Sequence, residues 1–134
     1  MGDNGDGVEH KNYASYDYKD DPARQIWGDP WRTPTAADFQ ELINNTTHYT
    51  TELSDVYGIL FINDSREILF FPAAGRRESS NLYGTGYSGN YWCSELEDNT
   101  YACYALKTYF EEIMGIYVSD DLRYSGLSVR PVAK

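Results

Sequence analysis

The sequence has few of the residues from which catalytic and metal sites are built. Its 134 residues include only two cysteines and two histidines. Cys93 and Cys103 are too few for a disulfide scaffold, and they lack the four-ligand pattern of a structural zinc site. His10 and His48 lie in polar stretches typical of solvent-exposed histidines, so they do not indicate a catalytic triad. We therefore expect a non-enzymatic protein with no metal and no cofactor.

Positive charge and long apolar runs are also scarce. Eleven Lys and Arg residues against 21 Asp and Glu residues give a formal net charge of -10. Such a charge repels a nucleic acid backbone or an anionic membrane surface. The longer apolar runs, at 56–62 and 68–71, fall far short of the roughly 20 residues of a membrane-spanning helix. Nucleic acid partners and membrane insertion are therefore not expected.

What the sequence has in excess is tyrosine, with thirteen copies. Tyrosine offers a large, rigid, half-polar contact surface at a low cost in rotamer entropy, so it is enriched in binding surfaces. Aromatic side chains also suit the pleated surface of a β-strand. The excess therefore indicates either a binding surface or strand positions, and the location of the tyrosines must decide.

The length of the chain predicts one domain. A chain of 134 residues can bury a core without a metal or a disulfide. Residues 1–20 are expected to be a polar segment, either a tether or a partly ordered start, and residues 21–134 a single domain.

Two short helices are predicted at the start of this domain. Asp21 suits the N-cap of the first helix, and Gly28 suits its terminator. Thr35, with Asp38 as its capping-box partner, predicts a second helix from about Ala36 to Asn44. The apolar stripe of the second helix consists of Phe39, Leu42 and Ile43.

Strands follow the helices, after a polar run at 45–51. The predicted strands are a hairpin of 56–62 with 68–71, a pair at 91–95 and 101–109, and a last strand at 127–131. The glycine- and serine-rich stretch from Pro72 to Asn90 is expected to be a long irregular loop, a feature that is often functional. Helices followed by mostly antiparallel strands indicate an α+β fold.

Five short segments stand out by their composition and order. They are Trp27-Gly28 with Trp31-Arg32 and Pro34-Thr35, then Phe39 to Ile43, then Phe70 to Gly75 with Arg77, then Gly89 to Trp92, and finally Gly126 to Val132. In these segments the chain resembles the bacterial Fibrobacter succinogenes major paralogous domain family. That family is related in fold to C-type lectins and to formylglycine-generating proteins. The resemblance implies a C-type-lectin-like fold, with two helices packed on mostly antiparallel strands and long irregular loops.

The resemblance also implies a function, because members of the family are similar to surface adhesin domains and to variable proteins of diversity-generating retroelements. Tyrosines cluster between the matched segments, which favours binding over strand filling. The expected contact residues are Tyr83, Tyr87, Tyr101, Tyr104, Tyr109, Tyr117, Asp120, Asp121 and Tyr124. The implied partner is a macromolecule, either a protein or a glycan, outside the cell or on a phage particle. The oligomeric state stays open.

The cysteines and the acidic turn leave alternatives open. Cys93 and Cys103 lie on neighbouring predicted strands, so they form either a cross-strand disulfide or two free thiols. A redox or formylglycine-generating-like enzyme using these cysteines, or a structural pilus module, is the alternative function. Oxygen donors from Glu95 to Asn99 make a bound cation the minor alternative to no metal.

Overall fold

The fold combines two helices with antiparallel sheets. The computed structural model describes residues 2–3, 9–10, 21–96, 104–122 and 125–133. These residues form an α+β fold, as the sequence predicts. The helices are α1 (Pro22–Trp27) and α2 (Ala36–Asn45). The strands are β1 (Gly2–Asp3), β2 (Glu9–His10), β3 (Trp31–Arg32), β4 (Thr47–Leu53), β5 (Val56–Ile62), β6 (Ile68–Pro72), β7 (Arg76–Glu78), β8 (Asn81–Tyr83), β9 (Ser88–Leu96), β10 (Tyr104–Glu111), β11 (Gly115–Leu122) and β12 (Val132–Ala133).

Helix α1 is fixed by its cap. The buried Asp21 carboxylate accepts a hydrogen bond from the Ala23 backbone at 2.8 Å. It also accepts bonds from the backbone N–H and the hydroxyl of Thr33, at 2.7 and 2.6 Å. One side chain therefore caps α1 and ties it to the segment after β3. Gly28 ends the helix with a φ of 97°, as its position in the sequence predicts.

Helix α2 begins with the predicted capping box. The Thr35 hydroxyl accepts from the Asp38 backbone at 3.0 Å, and the Asp38 carboxylate accepts from the Thr35 backbone at 2.8 Å. Arg32 pairs with the same carboxylate at 2.6 Å. A distant residue adds a second cap, because the Glu95 carboxylate accepts from the Ala36 backbone at 2.9 Å. A negative charge at this end of a helix is stabilising.

Two three-stranded antiparallel sheets form the frame, with the orders β4-β5-β6 and β11-β10-β9. The hairpin of β5 and β6 pairs Gly58 with Pro72 and Ile62 with Ile68, which confirms the predicted hairpin. Strands β9 and β10 are also antiparallel neighbours, as predicted. Strand β10 lies in the middle of its sheet, so it has hydrogen-bonded neighbours on both sides.

Two predictions are wrong, and one strand forms where the sequence predicts none. The stretch from Pro72 to Asn90 is not one irregular loop, because β7 and β8 form a hairpin inside it and β9 starts at Ser88. The polar run at 45–51 contains most of β4, an edge strand beside β5. The predicted strand at 127–131 is absent from the described structure, where Ser128 makes a single bridge to Tyr91. The chain pairs regularly again only in β12, which lies antiparallel to β3.

The core lies where α2, β5, β6, β9 and β10 meet. Phe71 is at its centre, with ring centroids 6.0 Å from Phe39, 5.5 Å from Phe61 and 4.9 Å from Tyr91. Tyr91 in turn stacks on Phe110 at 6.3 Å. The core therefore covers one face of the sheet β11-β10-β9.

Candidate ligand-binding face

The outer face of the sheet β11-β10-β9 carries three of the predicted tyrosines close together. Side chains alternate between the two faces of a strand, so the buried Phe110 puts Tyr109 on the side away from the core. The register pairs Tyr109 with Tyr117 on one side and with Asn90 on the other. The rings of Tyr109 and Tyr117 are 5.4 Å apart. The two tyrosines thus form a packed aromatic pair on the outer face.

Tyr87 joins this pair through Glu111. The Glu111 carboxylate interacts with the Tyr87 hydroxyl and raises the pKa of Tyr87. Burial and then the same carboxylate raise the pKa of Tyr109. The side chains of Tyr87 and Tyr117 are 54% and 38% exposed. Both side chains therefore present aromatic surface to solvent.

The turn between β10 and β11 extends this surface with apolar side chains. Ile113 and Met114 are 84% and 61% exposed. Gly115 completes the turn with a φ of 73°, a conformation that glycine adopts without strain. We call Tyr87, Tyr109, Tyr117, Ile113 and Met114 the tyrosine face. Exposed aromatic and apolar side chains that adjoin each other are typical of an interaction surface.

A buried polar cluster supports the tyrosine face from the side. The Lys107 ammonium donates to the Asn90 side chain and to the Asp121 carboxylate, both at 2.8 Å. It also lies 5.3 Å from the centre of the Tyr109 ring. Asp121 accepts a further bond from Ser125 at 3.2 Å. Lys107 and Asn90 are not among the contact residues that the sequence predicts, although Lys107 shares its strand face with Tyr109.

Asp121 is therefore not the free contact residue that the sequence predicts. Burial on its own would raise the pKa of Asp121, but the hydrogen bond and the charge of Lys107 outweigh burial, so the pKa is lowered. Both side chains of this ion pair are 11% exposed. The carboxylate holds Lys107 in place and has little surface left for a ligand.

The other predicted contact residues are dispersed. Tyr83 is exposed on β8, in a separate hairpin, with the Arg76 guanidinium 5.4 Å from its ring centre. Asp120 is exposed, but the alternation of β11 directs it to the side opposite Tyr117. Tyr104 starts β10 and is described only by its backbone. Tyr101, Cys103 and Tyr124 lie outside the described residues.

Cys93 is a buried, free thiol. Its sulfur lies 3.8 Å from the Thr108 hydroxyl, and burial raises the pKa of Cys93 to about 12. The register pairs Trp92 with Lys107 and Leu96 with Ala105. Cys93 therefore lies beside the middle of β10 and is a free thiol, the second of the two predicted alternatives, while Cys103 lies outside the described residues.

The acidic turn offers no metal site in the part of the chain that the structure describes. Glu95 uses its carboxylate to cap α2, and residues 97–100 lie outside the described ranges. Across those ranges, no three His, Cys, Asp or Glu side chains are placed to hold a metal ion.

Two further findings bear on the class of protein. Within the described ranges, no helix is both long enough and apolar enough to cross a membrane. Comparison of the chain with known protein families, with curated proteins and with solved structures finds no match.

Proposed function

We propose that this chain is a ligand-binding domain of C-type-lectin-like fold. It binds a macromolecular partner, a protein or a glycan, outside a bacterial cell or on a phage particle. The observation that carries the proposal is the tyrosine face, where Tyr109 and Tyr117 pack on each other on the side of the sheet away from the core and the turn that connects their strands is apolar and exposed. Tyrosine side chains of this kind bind partners at a low entropic cost.

The positions of the matched segments support the proposed fold. Residues 39–43 lie in α2, residues 70–72 in β6 and residues 89–92 in β9. These elements supply the core aromatics Phe39, Phe71 and Tyr91. The segments that carry the resemblance thus build the scaffold, while the tyrosine face lies outside them.

The charge around the tyrosine face favours partners with positive groups. Glu111 contacts Tyr87, and Glu112 adds a second nearby negative charge. The exposed tyrosine rings attract cations through their faces. A partner that presents lysine, arginine or amino-sugar groups beside apolar surface therefore fits best.

The buried thiol weighs against the enzyme alternative. A cysteine must be a thiolate to act as a nucleophile or redox group. The pKa of Cys93, raised to about 12 by burial, keeps its thiol protonated at neutral pH. The structural pilus alternative predicts tight self-association, which sedimentation of the purified protein measures.

The direct test screens the protein against arrays of glycans and of bacterial surface proteins. Hits are then remeasured with Tyr87→Ser, Tyr117→Ser and the double variant. Each substitution is expected to weaken binding about 30-fold, the equivalent of roughly 2 kcal/mol at a binding hot spot. Tyr49→Ser is the matched control, because Tyr49 is 49% exposed on the other three-stranded sheet.

Two results would contradict the proposal. One is unchanged affinity of the double variant for every hit. The other is an equal loss of affinity in Tyr49→Ser, since binding would then depend on the number of exposed tyrosines and not on their position. Thermal unfolding of each variant shows that the fold is retained.

A fixed adhesin domain and a variable retroelement protein both fit this surface. Tyr117, Ser119 and Asp120 are residue types reached by adenine-directed mutagenesis of asparagine codons, whereas Lys107 and Glu111 are not. Sequencing the DNA that flanks the gene separates the two. A reverse transcriptase gene beside a near-identical copy of the C-terminal coding region establishes the variable protein.

A further inference from the structure

A second surface feature, an apolar groove, shares no residue with the tyrosine face. The groove has a volume of about 500 Å³ and lies between α2, β6 and the C-terminal residues 130–133. This volume falls within the range of roughly 300 to 1,000 Å³ that is typical of small-molecule sites. Its apolar lining includes Phe39, Leu42, Leu69, Phe71, Pro131 and Val132.

Arg130 gives the groove a positive charge. Its guanidinium carbon lies 5.2 Å from the centre of the Phe71 ring, and Nη1 donates to the Phe70 carbonyl at 3.2 Å. A guanidinium has five N–H donors, and this is the one hydrogen bond that Arg130 makes to the described residues. No carboxylate of the described ranges lies within ion-pair distance of it. Most of its hydrogen-bonding capacity is therefore available to a ligand.

The acidic residues of the groove do not neutralise Arg130. Asp38 is committed to Arg32 at 2.6 Å and to the Thr35 backbone at 2.8 Å. Glu41 lies on the exposed side of α2. The groove thus combines apolar walls with one cation that has no carboxylate partner among the described residues.

We propose that this groove binds a small carboxylate with an apolar tail. The carboxylate pairs with the free N–H groups of Arg130, since planar guanidinium and carboxylate groups form two parallel hydrogen bonds. The tail leaves water by packing along Leu42, Leu69 and Val132, a burial that is favourable in proportion to its area. This proposal does not depend on which kind of partner binds the tyrosine face.

The net charge of the protein makes the proposal sharply testable. At -10 overall, non-specific electrostatics favours a cationic amphiphile over an anionic one. Only a local positive charge reverses that preference. Decanoate and decyltrimethylammonium have tails of the same length and heads of opposite sign, so the pair isolates the contribution of Arg130.

The experiment titrates both amphiphiles into the full chain below their micelle concentrations, by calorimetry. Decanoate is expected to bind at one site, at least tenfold more tightly than decyltrimethylammonium. Arg130→Met keeps an apolar stem but removes the donors, and it should weaken decanoate binding at least tenfold. Leu42→Trp fills the groove from α2 and should abolish binding. Tyr117→Ser should bind decanoate as the unmodified protein does.

Nuclear magnetic resonance locates the site independently of these variants. Decanoate should shift the signals of Leu69 and Val132 and leave those of Tyr117 unchanged. The proposal is overturned if decanoate does not bind, if the cationic amphiphile binds equally well, or if the shifts appear on the tyrosine face. Because the double variant Tyr87→Ser/Tyr117→Ser should keep the groove intact, failure of one site leaves the other testable.

Discussion

The sheet β11-β10-β9 has two faces that use the same residue type for different purposes. Tyr91 points into the core, where its side chain is 4% exposed and its hydroxyl donates to the Pro72 carbonyl at 2.7 Å. Tyr117 points outward, where it is 38% exposed and packs on Tyr109 at 5.4 Å. Strand alternation, and not composition, decides which tyrosine stabilises the fold and which is available to a partner.

The outer face has two parts, one of hydrogen-bonded polar side chains and one of solvent-exposed tyrosines. Lys107 donates hydrogen bonds to both Asn90 and Asp121, and all three side chains are largely shielded from water. Tyr87 and Tyr117 are open to solvent. The buried cluster fixes the position of β10 between its neighbours, so the open tyrosines sit on a rigid support. Sites on rigid elements bind with less loss of conformational entropy.

The largest difference in the free energy of unfolding between the two faces is expected when one aromatic side chain of each face is truncated to alanine. Phe110 is fully buried, and its ring lies where the Cβ of any residue larger than Gly89 would be. Phe110→Ala should lower the free energy of unfolding by about 3 to 5 kcal/mol, because it removes apolar contacts and leaves a cavity. Tyr117→Ala, which truncates an aromatic of the outer face, should cost less than about 1 kcal/mol. Urea unfolding measures both.

A double variant, measured by the same urea unfolding, checks that the loss in Phe110→Ala comes from the cavity. In the Phe110→Ala background, Gly89→Ala places a methyl group in the vacated space and should not destabilise further, whereas alone it should cost about 1 to 3 kcal/mol by overpacking. Equal losses for Phe110→Ala and Tyr117→Ala would mean that the outer face carries as much of the stability as the core.

The next largest loss of stability is expected when the buried ion pair of Lys107 and Asp121 is broken. Lys107→Met leaves the Asp121 carboxylate buried without its partner, so it should cost about 3 kcal/mol at neutral pH. The folded protein lowers the pKa of Asp121 below its ordinary value of 3.8. The pair therefore contributes its stability above that pH, and the contribution is lost as the pH falls through the lowered pKa.

Acid unfolding distinguishes this electrostatic role from simple packing. The gap in stability between the unmodified protein and Lys107→Met should narrow as the pH falls below about 4, because Asp121 becomes neutral in both. A gap that stays constant with pH would show that Lys107 acts through its aliphatic stem. Lys107→Arg is the matched control, since it keeps the charge.

Local signals predict the parts of the fold in which neighbouring residues decide the structure. The caps Asp21 and Thr35 satisfy backbone donors within a few residues, so both helices were predictable. The hairpin of β5 and β6 follows from two apolar runs around a short polar turn. The outer-face tyrosines are predicted as contact residues from their position between the segments that carry the resemblance, and not from a local signal.

Long-range pairing explains the errors. Strand β4 is an edge strand with polar residues, and its structure depends on β5 rather than on an apolar pattern of its own. The stretch 127–131 has a strand-like composition, but it finds only a single bridge, at Ser128, on β9. The sequence predicts Asp121 as an exposed contact residue, because no local pattern predicts the register that brings Lys107 beside it.

The smallest expected difference in the free energy of unfolding comes from removing one tyrosine hydroxyl from each face of the sheet. Tyr91→Phe takes away the bond to the Pro72 carbonyl and should cost about 1 kcal/mol. Tyr117→Phe should change the free energy of unfolding by less than about 0.5 kcal/mol, because Tyr117 lies at the surface with 38% of its area exposed. The two substitutions are chemically identical, so only the faces differ.

The free energy of unfolding above pH 10 tests separately whether Tyr91 is buried. Burial raises the pKa of Tyr91 to about 12 from an ordinary value of 10.0. The folded state thus keeps a proton that the unfolded state releases, so Tyr91 contributes stability below pH 10 that is lost as the pH rises toward 12. Tyr91→Phe should therefore unfold with a weaker dependence on pH in that interval than the unmodified protein. An alkaline profile of Tyr91→Phe identical to that of the unmodified protein would mean that folding does not raise the pKa of the Tyr91 phenol, and the buried character assigned to this face would then not hold for this group.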